Sequence, residues 1–149
     1  MKNAFFLILG LGIIFGSIFL FLKQPIHRGG EIKVVKINDV SIPVEVARTP
    51  SARAQGLSGR EVLPEGTGML FVFETPSQYG FWMKDMNFPI DIVWISESFQ
   101  VVDIEHRLAP ETYPEVFYPS GLAKYVLELP AGASRNLGID TGSIVYFGM

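Results

Sequence analysis

The 149-residue chain has no cysteine and only two histidines, His27 and His106. Without cysteine there is no disulfide to staple the fold, no thiolate nucleophile, and no N-terminal cysteine to carry a lipid. Zinc-type and EF-hand spacings of His, Cys and carboxylates are also missing, so neither a metal nor a cofactor is expected. One soft-ligand set, Met69, Met83 and Met86 near His106, is suited to Cu(I), but methionines are commonly core fillers. No Gly-x-Ser-x-Gly elbow is present. Positive charge is scarce beyond the N-terminal region. Removing Lys2, Lys23 and Arg28 from 12 basic residues leaves 9 against 15 acidic ones, a net charge of −6 for residues 31–149. Such a surface repels phosphate backbones, so no nucleic-acid partner is expected. Internal repeats and low-complexity tracts are absent.

Apolar residues are concentrated at the N-terminus. Ala4 to Leu22 runs 19 residues without a charge, 14 of them Phe, Leu or Ile. As a helix it would span about 28 Å, close to the hydrocarbon thickness of a bilayer. A cleaved signal peptide is the competing reading, but Leu20-Phe-Leu-Lys-Gln-Pro25 offers no small-x-small cleavage site. The sequence therefore predicts a single-pass anchor over 1–23, in the membrane through residues 4–22, a linker over 24–30, and one domain over 31–149. Lys2 faces Lys23 and Arg28 across the span, nearly a tie by the positive-inside count. With so short a tail ahead of the span, the domain is placed outside the cytoplasm, at the cell membrane.

The domain reads as mainly β. Glu31 to Ile37 and Val40 to Ala47 are strand-like runs around an Asn38-Asp39 turn. Thr49-Pro50 is a helix start, and Gly56 ends the short helix that follows. Met69 to Glu74, Phe81 to Lys84, Ile90 to Ser96 and Val101 to Arg107 are four more strands. Leu108 to Gly121 carries Pro110, Pro114 and Pro119 among aromatics, and is expected to pack across the sheet or cover a pocket. Ala123 to Leu129 and Ser143 to Phe147 complete the strands, with a second short helical segment over Ala131 to Leu137.

Gly56-Leu57 with Arg60, Gly68-Met-Leu-Phe71, Trp82-Met-Lys84, Pro89-Ile-Asp91 and Leu127-Glu-Leu-Pro-Ala-Gly132 occur in this order. Together they resemble domain of unknown function family 192, over roughly Ile42 to Phe147. The resemblance implies a compact, mainly β, jelly-roll-like sandwich or barrel with one or two short helices, often exported or membrane-anchored, without an established activity. Many members have Asn and Thr after the Trp-Met-Lys triplet, where this chain has Asp85 and Met86.

Six residues are candidate ligand-binding residues: Arg53, Arg60, Trp82, Lys84, Asp91 and Glu128. In Pro89-Ile-Asp-Ile-Val-Trp-Ile95, alternation leaves both strand faces apolar, so Asp91 is expected to be buried. It then needs a partner, among Arg53, Arg60, Lys84 or backbone amides, and an arginine locking a loop is the expectation. Glu128 shares a face with Lys124 and Val126 and is expected to pair with an arginine. Arg48, Arg53 and Arg60 flank the first helix and suit carboxylate or phosphate recognition. Trp82 and Lys84 set an aromatic platform beside a cation, with Phe81 and Met83 turned to the core. His106 alternates with Val102 and Ile104, which puts it on an apolar face. The leading reading is an extracytoplasmic binding domain for a small ligand, glycan or protein. A hydrolase of a cell-envelope polymer, with Asp91 and Glu128 as weak catalytic candidates, and a purely structural domain are the alternatives.

Overall fold

Nine strands and two short helices build the domain, described here from a computed structural model of residues 32–149. The anchor and linker expected over 1–30 lie outside the described residues. Among the described residues no helix is long and apolar enough to cross a membrane.

The strands are β1 (Val34–Ile37), β2 (Val40–Ala47), β3 (Gly68–Ser77), β4 (Phe81–Trp82), β5 (Ile90–Ile95), β6 (Val101–Leu108), β7 (Val116–Phe117), β8 (Ala123–Pro130) and β9 (Val145–Gly148). Asn38 and Asp39 join β1 to β2 with φ of 49° and 65°, the pair of left-handed residues that a tight hairpin turn demands. Helix α1 (Pro50–Gln55) starts where Thr49 accepts a hydrogen bond from the Ala52 amide and stops at Gly56. Helix α2 (Ala133–Asn136) is a single turn ended near Gly138.

Seven strands form one sheet in the order β6-β5-β8-β3-β2-β1-β9. All neighbours are antiparallel except β2 and β3, which are parallel and are joined through α1 and the loop that follows it. The sheet curls until its two edges touch. Gln100, just before β6, bridges Ile144, and Val101 donates to Ser143 O and accepts from Gly142 N in the segment leading into β9. The result is a curled half-barrel, coarser than the jelly-roll expectation yet within its mainly β class.

Curling gives the sheet two apolar faces. The inner core draws on all seven strands, including Val35, Ile42, Leu70, Val93, Val101, Leu127 and Val145. The outer core takes Met69, Phe71, Ile92, Trp94 and Val126 and is covered by Leu57, Leu63, Met83 and Phe117 from outside the sheet. Strand β5, between β6 and β8, is buried at all six positions. Its lack of a polar face in the sequence therefore follows from its place in the sheet.

Three expectations change. Phe81 to Lys84 is extended only through Trp82; the chain then turns, with Met86 N donating to Met83 O and Asp85 at φ 55°. Asp and Asn both tolerate that left-handed conformation, so Asp85 meets the backbone requirement as Asn would. The proline-rich segment contributes β7, which pairs with β4 to form a two-stranded arm, and it places Tyr113 against Trp82. Strand β6 is bulged, so Val102 packs in the outer core and Ile104 in the inner one, and simple alternation does not set the face of His106.

Candidate functional site

Asp91 and Glu128 stand on adjacent strands, one register step apart. Asp91 is opposite Leu129, and Ile92 is opposite Glu128. Because side chains alternate, that single step sends the carboxyls to opposite faces of the sheet. The structure therefore does not bring them into a common cleft, and the paired acid and base needed for glycoside hydrolysis is not assembled from these two residues.

Asp91 is wholly buried and fully bonded. Its Oδ1 accepts from Arg107 N and Gly132 N, both at 2.8 Å, and its Oδ2 from Ser134 N at 2.9 Å and Ser134 Oγ at 2.5 Å. Burial pushes this carboxyl up, but the bonds from Gly132, Ser134 and Arg107 outweigh it and hold it below the ordinary carboxylate range. No arginine side chain is involved: the loop lock expected at Asp91 is made by backbone amides and a serine. With its hydroxyl proton on Asp91, Ser134 Oγ accepts from His106 Nδ1 at 2.9 Å, which fixes the imidazole proton on that nitrogen. Gly132 belongs to the Leu127-Glu-Leu-Pro-Ala-Gly132 motif, but nothing local marks it or Ser134 as a partner of a residue some forty positions away. His106 is thereby held beside Asp91, whereas Met69 and Met83 lie in the outer core and Met86 packs against it, so no soft-metal set forms. Among the described residues no cluster of His, Cys, Asp or Glu could hold a metal.

Glu128 is the opposite case. Flanked by Met69 and Ile92 on the outer face, it is 5% exposed, and its Oε2 is sealed from solvent without a hydrogen-bond partner. Burial pushes its carboxyl up to about 8, and the Arg60 guanidinium offsets only part of this. At neutral pH Glu128 is mainly a neutral acid. The salt bridge expected for it is made elsewhere: Arg60 donates two hydrogen bonds of 2.7 Å to the two carboxylate oxygens of Glu45. That fork holds Glu45 below and Arg60 above their ordinary values.

Glu128 lines a cavity of about 250 Å³ between α1, the sheet and β4. Phe71 and Phe73 share its strand face by alternation along β3, and the loop before β4 adds Tyr79. Phe81, Trp82 and Met86 complete an aromatic wall, in which Phe71 meets Phe81 edge-on at 5.0 Å and Phe73 stacks on Tyr79. Arg53 stands over Phe73 at 4.9 Å, donating to the carbonyls of Arg48 and Val72. Arg53 and Trp82 also line an adjoining groove with Lys84, whose Nζ is 5.8 Å from the Trp82 ring centre. Of the six candidates, Arg53, Trp82 and Glu128 meet at the cavity and Lys84 at its neighbouring groove. Arg60 lines a separate depression with Glu45 and Met69, and Asp91 is on the far face. Phe71, Phe73 and Tyr79 are not among the candidates read from the sequence, where Phe71 counts only as a motif residue; the i, i+2 spacing of Met69, Phe71 and Phe73 is the available signal, legible once β3 is known to pair with β8.

The model of domain of unknown function family 192 (DUF192), described as Uncharacterized ACR, matches residues 33–147. A protein of unknown function from Novosphingobium aromaticivorans DSM 12444 is similar in structure, with a TM-score of 0.72 and 28% identity over 83% of this chain and 89% of its own. A protein from Sinorhizobium meliloti 1021, described as a candidate transcription regulator, has a TM-score of 0.71 and 28% identity over 79% of this chain and 98% of its own. The comparison with curated proteins gives no match.

Proposed function

The chain belongs to the DUF192 family, and on that premise we propose that its domain binds a small organic ligand in the aromatic cavity over Glu128. One observation carries the reading: the buried Glu128 side chain lines the cavity, and its Oε2 has no hydrogen-bond partner among the described residues. An unmet buried polar atom costs about 1–3 kcal/mol, and a ligand that supplies the missing bond recovers part of that. The wall supports the same reading, since concave sites lined by rings with a few convergent polar groups are the usual form of small-molecule pockets. Arg53 and Lys84 at the edge supply polar anchors, and the half-exposed Trp82 offers a ring to stack on.

The apolar run at 4–22 supports a further part of the proposal: a single-pass anchor that holds the domain at the outer side of the cell membrane. Reporter fusions at Met149 test it, an extracytoplasmic signal being expected and a cytoplasmic one contradicting it. Binding is tested by a thermal-shift screen of small aromatic compounds on the full-length chain, in parallel with Glu128→Leu, which fills the polar position with an apolar group. Compounds that raise the melting temperature of the parent and leave Glu128→Leu unchanged are the expected result. Stabilising compounds that act equally on both proteins place the site elsewhere.

A further inference from the structure

The chemistry of the cavity points to a class of ligand, an inference that rests on the binding reading above. We infer that the site takes a small organic amine, its ammonium group against Glu128 and its apolar body between the rings. Three independent features agree on positive charge at this spot.

The first is the Glu128 carboxyl, an acceptor whenever it is ionised, which lines the cavity and whose Oε2 has no hydrogen-bond partner among the described residues. The second is the wall: Phe71, Phe81 and Trp82 present ring surface, and ring faces attract cations, more strongly when water is excluded. The third is the field of the domain, whose net charge of −6 draws cations inward.

The charged groups around Glu128 are few. From the loop after α1 comes Arg60, whose guanidinium is committed to Glu45 of β2 by both of its hydrogen bonds. From α1 comes Arg53, tied to two backbone carbonyls and stacked over Phe73. The strands on either side contribute only Met69 and Ile92. Among the described residues no cation is therefore bonded to Glu128, and the carboxyl keeps its charge low by holding a proton. An arriving ammonium ion replaces that proton: the Glu128 carboxyl releases H⁺ to solvent, and the carboxylate accepts hydrogen bonds from the ligand. The site remains near neutrality in both states, and the exchange makes affinity depend on pH.

The test uses three probes of like shape and different charge: benzylamine, benzyl alcohol and benzoate, titrated calorimetrically into the full-length chain and into Glu128→Gln. Benzylamine is expected to bind the parent most tightly, gaining about tenfold in affinity per pH unit from pH 6 toward 8. Its heat should vary with the ionisation enthalpy of the buffer, as proton release requires. In Glu128→Gln, which keeps the side-chain size, the amine preference and the pH slope should both vanish while benzyl alcohol still binds, showing that the cavity is intact. An alcohol that binds the parent as well as the amine does, or an amine preference that survives Glu128→Gln, overturns the amine inference and leaves a ligand cavity standing. Failure of all three probes to bind the parent overturns the inference and the binding reading together.

Discussion

Glu128 and Asp91 are both acidic, both shut away from water and one register step apart, yet their energetics run in opposite directions. Asp91 has four donors and is held ionised; Glu128 has none and holds its proton. For Glu128 the folded value of about 8 lies above the unfolded value of 4.5. Its contribution to stability is full below pH 4.5 and is lost as pH rises through about 8, a span worth on the order of 3–5 kcal/mol. For Asp91 the folded value is depressed, so its contribution is present above the unfolded value near 3.8 and is lost as pH falls through the lower folded one. Urea unfolding across pH should thus show a maximum at mildly acidic pH. Glu128→Gln should flatten the decline between pH 4.5 and about 8, and Asp91→Asn the acid limb. At pH 8 Glu128→Leu should be more stable than the parent by about 1–3 kcal/mol, because a buried polar group without a partner is replaced by a packed apolar one. Asp91→Asn should cost about 2–4 kcal/mol, since an amide cannot accept all four bonds. Equal losses from Asp91→Asn and Glu128→Leu would contradict the division of roles.

At the scale of elements, the two-stranded arm of β4 and β7 is the part that shapes the cavity without belonging to the main sheet. Gly80 lets it close: a Cβ there would lie 2.5 Å from the Tyr118 ring and 2.7 Å from the Val116 side chain. Gly80→Ala should displace β7 from β4 and weaken probe binding at least tenfold, a cost of about 1.4 kcal/mol in affinity, while the main sheet keeps its cooperative unfolding. A comparable drop in global stability with affinity retained would mean that the arm does not form the site. The arm also marks the limit of what the sequence showed. The period-2 patterns of β5 and β8 placed Ile92, Trp94, Val126 and Glu128 correctly by face, since both strands are long and regular. The bulges of β6 broke that rule at Val102 and Ile104, and the turn at Asp85 cut β4 short. Pairing across the sheet, which sets Glu128 beside Met69 and gathers Phe71 and Phe73 around it, is a long-range fact that no local pattern contains.

At the scale of the molecule, residues 32–149 form a curled sheet whose edges meet at Gln100 and Ile144, with one core inside the curl and another outside it. The inner core needs β9 for closure, because Val145 packs there and β1 pairs with that strand. Removing residues 141–149 should therefore abolish cooperative unfolding altogether, as seen by calorimetry; a truncated chain that melts like the parent would refute the closed curl. On the proposed reading, the outer core is left incomplete for a ligand, with Glu128 Oε2 unpartnered among the described residues. The most direct test is an NMR titration of the Glu128 side-chain carboxyl carbon, with and without saturating benzylamine. The expected midpoint is near 8 in the free protein, with a fall toward the ordinary carboxylate range when the amine is bound. A midpoint already in the ordinary range, unmoved by the amine, would contradict it.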